Sequence, residues 1–245
     1  HTRSIAVTGV QSVLFRSQAT SSGANLLTSW DVSKVQKQGN GYRVFSADGS
    51  FIDAANIIVS AGGWLPQLLG QLELPARFLA GLPELTVRQE QAYHFRYRSE
   101  YAPETWPTLI HKTSDLEVYG LPGGRDAEFA GQKVAEFNGG KVIPSAADQT
   151  GIVDPTNRRR LINYVQTYLP GLDPEPYAET TCLFTSTPNE DFIIDRAENL
   201  TVLSPCSGHG AKFAPLLGQW AADLATGSGD VPARFRVASR KLAGN

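Results

Sequence analysis

The segment richest in chemistry is Ser207-Gly208-His209-Gly210-Ala211-Lys212-Phe213. It follows a short β-branched run, Thr201-Val202-Leu203, and precedes apolar positions at helical spacing, Leu216, Leu217, Trp220 and Leu224. A strand, a glycine loop and a helix in that order aim unpaired backbone N–H groups and a partial positive charge at whatever lies before the helix. Gly208 and Gly210 permit positive φ and close approach of a ligand, and Lys212 adds a full charge at the helix entrance. Such a place suits a ligand that is anionic or becomes so during reaction. A flavin fits, because positive charge near its N1 favours the reduced anion. Taken alone, the segment also reads as a glycine turn with a surface lysine and a capping histidine.

A second segment has the same logic. Ile57-Ile58-Val59 reads as a strand buried on both faces, followed by the small residues Ser60-Ala61-Gly62-Gly63 and then Trp64. Ligands of open α/β sheets bind at the carboxyl ends of strands. The simpler alternative is a tight turn into a helix at Leu65–Leu72. Two cysteines, Cys182 and Cys206, are too few for a disulfide scaffold, and four histidines without close spacing give no zinc pattern.

The 245 residues carry 22 basic and 24 acidic side chains, a formal charge of −2, which excludes a general nucleic-acid binder or a polybasic membrane binder. The basic run Arg158-Arg159-Arg160 is read as a solvated helix start. A hydrophobic fraction of 41% with 19% charged residues is globular composition. No apolar run approaches the roughly 18 residues of a membrane span, and His1-Thr2-Arg3-Ser4 does not open a secretory signal. Leu242–Asn245 is not a peroxisomal address, and the expected location is cytoplasmic. A chain that starts with His and contains no Met reads as a processed chain, a fragment or an incomplete sequence.

The elements that must position these residues fall into three stretches. Residues 1–84 contain helix-like spacing over Ser12–Leu27, a short strand at Ala24–Leu27, and a hairpin over 41–53 turned at Asp48-Gly49. Residues 85–180 have antiparallel-sheet texture, with strands at Val87–Tyr97 and Leu116–Leu121 and turns at Pro103, Pro107 and Gly123-Gly124. A helix follows, capped by Asp154, including Arg158–Tyr168 and ended by Pro170-Gly171. Residues 181–245 return to α/β texture, with strands at Phe192–Ile194 and Thr201–Leu203 and a helix closed by Thr226-Gly227.

Three motifs together carry a resemblance. The first is Ser207–Phe213. The second is Thr181-Cys182-Leu183-Phe184 through Asp191-Phe192-Ile193-Ile194-Asp195. The third is Ile57–Trp64. In this order and spacing the chain resembles the D-amino-acid-oxidase-like FAD-dependent oxidoreductase family, within it the monomeric sarcosine oxidase and N-methyltryptophan oxidase group. The resemblance implies a mixed α/β (α+β overall) fold. It has a Rossmann-like FAD-binding domain, here incomplete, and a mixed, mainly antiparallel-sheet substrate domain. It implies FAD as cofactor, a small amino acid as substrate and O2 as acceptor. The family's opening G-x-G-x-x-G phosphate loop does not occur in the 245 residues.

Carried over residue by residue, Cys182 matches the cysteine that bonds the flavin 8α position through sulfur. Ser60, Ala61, Gly62, Trp64, Gly208, His209 and Gly210 fall at flavin-binding positions, with His209 read as serving the loop's hydrogen bonds. Lys212 matches a lysine near the flavin that helps bind the substrate carboxylate. Lys133 matches the lysine over the flavin that promotes reaction with O2, and Tyr119 an active-site tyrosine before a G-x-P turn. Cys206 is read as packing. Phe184 and Phe137 stand where sarcosine oxidase has a tyrosine and a histidine, which implies a larger or more apolar amine than sarcosine. The expected function is oxidation of the C–N bond of a secondary, N-methyl or cyclic amino acid to imine and H2O2. Two alternatives stay open at this point: an amino-acid dehydrogenase with a protein acceptor, and a non-catalytic fragment or subunit.

Overall fold

The structure is a computed structural model and describes residues 16–101, 106–124, 127–128 and 130–237. Ser12–Phe15, Pro103, His1–Ser4 and Leu242–Asn245, on which expectations were placed, lie outside the described residues. The chain divides into two compact units. One comprises Ser29–Arg88, Val142–Gln149 and Leu183–Asn245; the other comprises His1–Thr28, Gln89–Lys141 and Thr150–Cys182.

The first unit holds two small sheets. β1 (Val32–Gln38), β2 (Gly41–Ser46) and β3 (Phe51–Ala54) form an antiparallel meander. The β2–β3 turn is fixed by Asp48, whose Oδ1 accepts from the Ser50 N–H at 2.9 Å. In the second sheet β12 (Leu200–Ser204) lies between β11 (Ile193–Ala197), antiparallel to it, and β4 (Ile57–Val59), parallel to it. Side chains alternate across a strand. Adjacent Ile193 and Ile194, both fully buried, therefore enter two different cores. Ile193 joins Val35, Tyr42, Val59 and Leu65. Ile194 joins Phe192 and, from helix α4 (Ala214–Thr226), Leu217 and Leu224. Each such side chain contributes about 1.5–3 kcal/mol by burial.

Three expectations fail in detail here. Ala24–Leu27 forms no strand; no partner pairs with it among the described residues, and Leu26 and Leu27 are exposed. β4 is not buried on both faces: it is an edge strand, and Ile58 is 42% exposed. The helix after Trp64, α1 (Leu65–Leu69), stops at Gly70, and Leu72 is drawn into a β-bridge with Val35. Short α2 (Ala76–Gly81) follows and buries Phe78.

The second unit is built on a six-stranded sheet. Its order is β10 (Leu172–Ser186), β5 (Thr86–Tyr97), β8 (Gln132–Glu136), β7 (Glu117–Pro122), β6 (Leu109–Lys112), with β9 (Lys141–Ile143) also on β5. Odd-numbered Tyr93 and Phe95, with Val118 and Val134, pack on Leu161, Tyr164 and Val165 of helix α3 (Pro155–Tyr168). The Asp154 side chain caps α3, accepting from the Thr156 N–H at 2.8 Å, and Pro155 takes the first turn. The basic run does start this helix, but it is not merely solvated. Arg158 pairs with Glu175 and Glu179, and Arg160 with Glu136. Glu136 also accepts from Asn157 at 2.8 Å, and Asn157 accepts from the buried Tyr93 hydroxyl at 2.8 Å.

Candidate active site: two loops and one sheet face

In the first unit the parallel pairing of β4 with β12 decides where the two chemistry-bearing loops emerge. Ile57, Ile58 and Val59 lie opposite Leu200, Thr201 and Val202. Ser60–Trp64 and Pro205–Phe213 therefore both leave the carboxyl end of the same sheet, where an α/β sheet receives ligands. Ser60, Ala61 and Trp64 line a groove of about 700 Å3 with Val59, Gln67 and Val44. Gly62 stands at φ 53° at the start of the 3-10 turn carrying Trp64.

The second loop is a tight bend. Ser207 and Gly208 both take left-handed backbone, φ 49° and 72°, and the Ser207 N–H donates to Thr185 O at 2.7 Å. A Cβ at Gly210 would fall 1.5 Å from the Pro205 carbonyl oxygen, so the bend admits glycine alone at that position. Residues Gly210–Phe213 make a 3-10 turn that runs into α4. The His209 side chain makes no capping hydrogen bond; its backbone N–H donates to Cys206 O at 3.2 Å, and its ring sits 5.1 Å from that of Phe192. Lys212 is exposed, with Nζ 5.7 Å from the Phe213 ring. Phe192, His209, Lys212, Phe213, Trp220 and Phe235 line a groove of about 460 Å3. The half-buried Cys206 thiol is pushed above its ordinary value by burial.

In the second unit Tyr119, Lys133 and Cys182 share one neighbourhood. Lys133 of β8 lies opposite His94 of β5 and Leu121 of β7, and Tyr119 lies opposite Ala135. Opposite residues and alternate residues share a face, so Tyr119 and Lys133 project together, away from α3. Burial holds the Tyr119 hydroxyl well above the usual tyrosine range, and the Cys182 and Glu90 charges push the same way. Tyr119 is therefore a hydrogen-bond donor throughout the working pH range. Burial pushes the Cys182 thiol up to about 11; Lys133 pulls it down and Glu90 pushes it up.

Sequence reading passed over Glu90, which lies in β5 and is 1% exposed. The signal was available: a carboxylate inside the strand read at Val87–Tyr97, at an even-numbered position shared with His94. Among the described residues no cluster of three His, Cys, Asp or Glu could hold a metal ion, and no helix is long and apolar enough to cross a membrane.

Residues 13–224 match the family model of the FAD-dependent oxidoreductases, DAO. The chain belongs to this family. Among relatives of this FAD-dependent oxidoreductase, monomeric sarcosine oxidase of Streptomyces avermitilis is 31% identical over 216 residues, 84% of this chain and 53% of the relative. N-methyl-L-tryptophan oxidase of Yersinia pestis is 29% identical over 233 residues, 91% of this chain and 57% of the relative. The fold resembles NikD, an amino acid oxidase essential for nikkomycin biosynthesis, with a TM-score of 0.73 and 20% identity over 90% of this chain and 57% of NikD. It also resembles glycine oxidase from Bacillus cereus, with a TM-score of 0.66 and 17% identity over 89% and 56%. The oxidoreductase chain thus spans little more than half the length of the relatives it matches. Its architecture is the mixed α/β arrangement of these FAD-dependent oxidases.

Fit to FAD can be tested on the loops themselves. The bend at Ser207–Gly210 is closed to side chains, runs through a 3-10 turn into the 13-residue α4, and carries a cation at that entrance. These residues fit the flavin end of the cofactor. For the pyrophosphate end, the 245 residues hold no G-x-G-x-x-G.

Proposed function

We propose that this chain supplies the flavin-ring half of an FAD-dependent amine oxidase. The reaction converts the C–N bond of a secondary, N-methyl or cyclic amino acid to an imine while O2 is reduced to H2O2. The observation that carries this reading is the shared exit of the Ser60–Trp64 and Pro205–Phe213 loops at the carboxyl ends of the parallel pair β4 and β12, in a chain of the FAD-dependent family. In this reading residues 1–84 and 181–245 belong to the FAD-binding domain and 85–180 to the substrate domain.

FAD, when bound, supplies the two-electron acceptor. Ser60, Ala61, Gly62, Trp64, Gly208, His209 and Gly210 hold it, and Cys182 attaches it through sulfur. Lys212 binds the substrate carboxylate. The aromatic groove that Lys212 shares with Phe192, Phe213, Trp220 and Phe235 supports an apolar side chain on that substrate, as does phenylalanine at 137 and 184. Tyr119 donates a hydrogen bond and Lys133 offers a fixed positive charge where O2 becomes an anion on accepting its first electron. The amine must lose its proton before the C–N bond is oxidised, so turnover rises with pH.

The test is flavin fluorescence of the protein band on a denaturing gel, with C182S beside it. A fluorescent band that disappears in C182S, together with peroxide release from N-methyl or cyclic amino acids, is the expected outcome. A dark wild-type band removes Cys182 from the flavin. Absence of peroxide with every amino acid, from protein that retains flavin, removes the oxidase.

A further inference from the structure

Glu90 is a carboxylate buried inside a strand, 1% exposed. It precedes His94 by four residues on β5, so it lies on the face that also carries Lys133 and Tyr119. The opposite face is filled by Tyr93, Phe95, Val118 and Val134 against α3. β10 brings the thiol to the same place. The Arg98 N–H donates to Gly171 O at 2.9 Å beside the start of β10. Further along, the Tyr177 ring lies 4.2 Å from the Arg96 guanidinium carbon and 6.3 Å from the His94 ring. β10 therefore runs antiparallel to β5. Glu179 of β10 pairs with Arg158 of α3, so Cys182, three residues on, projects from the opposite face, the one that carries Glu90.

Burying a carboxylate is costly, and a fixed negative charge beside a thiol disfavours the thiolate. The titratable and charged groups on the sulfur's face are Arg88, Glu90 and His94 from β5, Lys133 from β8 and Tyr119 from β7. On β10 itself the nearest acid, Glu179, is turned to Arg158 of α3. Of these, Lys133 and Glu90 act on the thiol in opposite directions.

We propose that Glu90 is a positioning residue that keeps the Cys182 sulfur protonated against the pull of Lys133, shielding it from indiscriminate electrophiles. The pH at which the sulfur becomes nucleophilic is set by this pair. The inference concerns the thiol to which the proposed function attaches the flavin, but it needs no flavin.

The experiment is alkylation by iodoacetamide as a function of pH on flavin-free protein, in which Cys182 keeps its thiol, with Cys182 and Cys206 read separately by peptide mass. E90Q and the apolar E90V should move the Cys182 profile down by on the order of one pH unit, making it roughly tenfold faster at pH 8. K133M should move it the opposite way, and Cys206 should not move in any variant. An unmoved or slower Cys182 in both Glu90 variants overturns the proposal. Acceleration of both cysteines together, the mark of a loosened fold, also overturns it, since Glu90 then acts through packing. A dark band from flavin-loaded protein with a shifted profile in flavin-free protein would sink only the flavin attachment, and a fluorescent band from flavin-loaded protein with an unmoved profile in flavin-free protein only the role of Glu90.

Discussion

Val59 of β4 lies directly opposite Val202 of β12 in a parallel pair, and each stands within two residues of the end of its strand. That single register brings out Ser60 and Pro205 on one side of the sheet. Every cofactor-binding role proposed for the first unit depends on it.

The bend at Gly210 has no room for a Cβ, which would meet the Pro205 carbonyl at 1.5 Å. G210A should lower stability by about 3 kcal/mol and loosen flavin retention, because the loop must open to admit the methyl group. Gly218, in the middle of α4 with open space around it, is the control. G218A should raise stability by about 0.5–1 kcal/mol through helix propensity. Urea denaturation of both variants checks the pair.

In flavin-free protein burial pushes the Cys182 thiol up to about 11, above its ordinary value of 9.0. A raised acid pKa means that the folded state binds the proton more tightly than the unfolded chain. Stability from this group is therefore complete below pH 9 and is lost as pH rises through 11, by on the order of 2 kcal/mol. Thermal melts from pH 8 to 11.5 should fall more steeply for the wild type than for C182S. Parallel curves would mean that the thiol is not so placed.

Asn157 joins the Tyr93 hydroxyl at 2.8 Å to Glu136 at 2.8 Å, beneath the start of α3. N157A strands a buried hydroxyl and removes a donor from a mostly buried carboxylate. The expected loss is about 1–3 kcal/mol, with an unchanged urea m-value.

Lys133 shares a sheet face with Tyr119. In flavin-loaded protein, K133M should slow reoxidation by O2 by on the order of 10² while leaving anaerobic reduction by substrate close to wild type. Stopped-flow absorbance separates the two half-reactions. Equal slowing of both would give Lys133 a substrate role instead.

The parts of the fold legible in the sequence have local chemistry that points to one answer. Asp48-Gly49 turns a hairpin, Asp154 with Pro155 starts α3, and Gly227 in left-handed backbone ends α4. Other elements hid because tertiary pairing, and not pattern, made them. β1 reads Val-Ser-Lys-Val-Gln-Lys-Gln and buries only Val35. β10 contains Pro174 and Pro176, which argue against a strand; they are tolerated because β10 ends the sheet order as an edge. The candidate residues came from motif matches, and Glu90 belongs to none of those motifs, so its place inside the strand carried no weight until register put it on the face of Lys133. His209 takes part in the loop's hydrogen bonding through its backbone N–H, while its ring lies beside that of Phe192, a neighbour no local pattern announces.

β4 ends its sheet, so one side of Ile57–Val59 offers a row of backbone donors and acceptors with no strand across from it among the described residues. Ile58 adds exposed apolar surface to that row. Unpaired strand edges recruit other chains. Concentrated solutions of this chain should therefore scatter light and grow β-rich assemblies nucleated at residues 57–59. Lysine at Ile58 should keep such solutions clear. The edge that organises the cofactor loops is also where a further strand can add to the sheet.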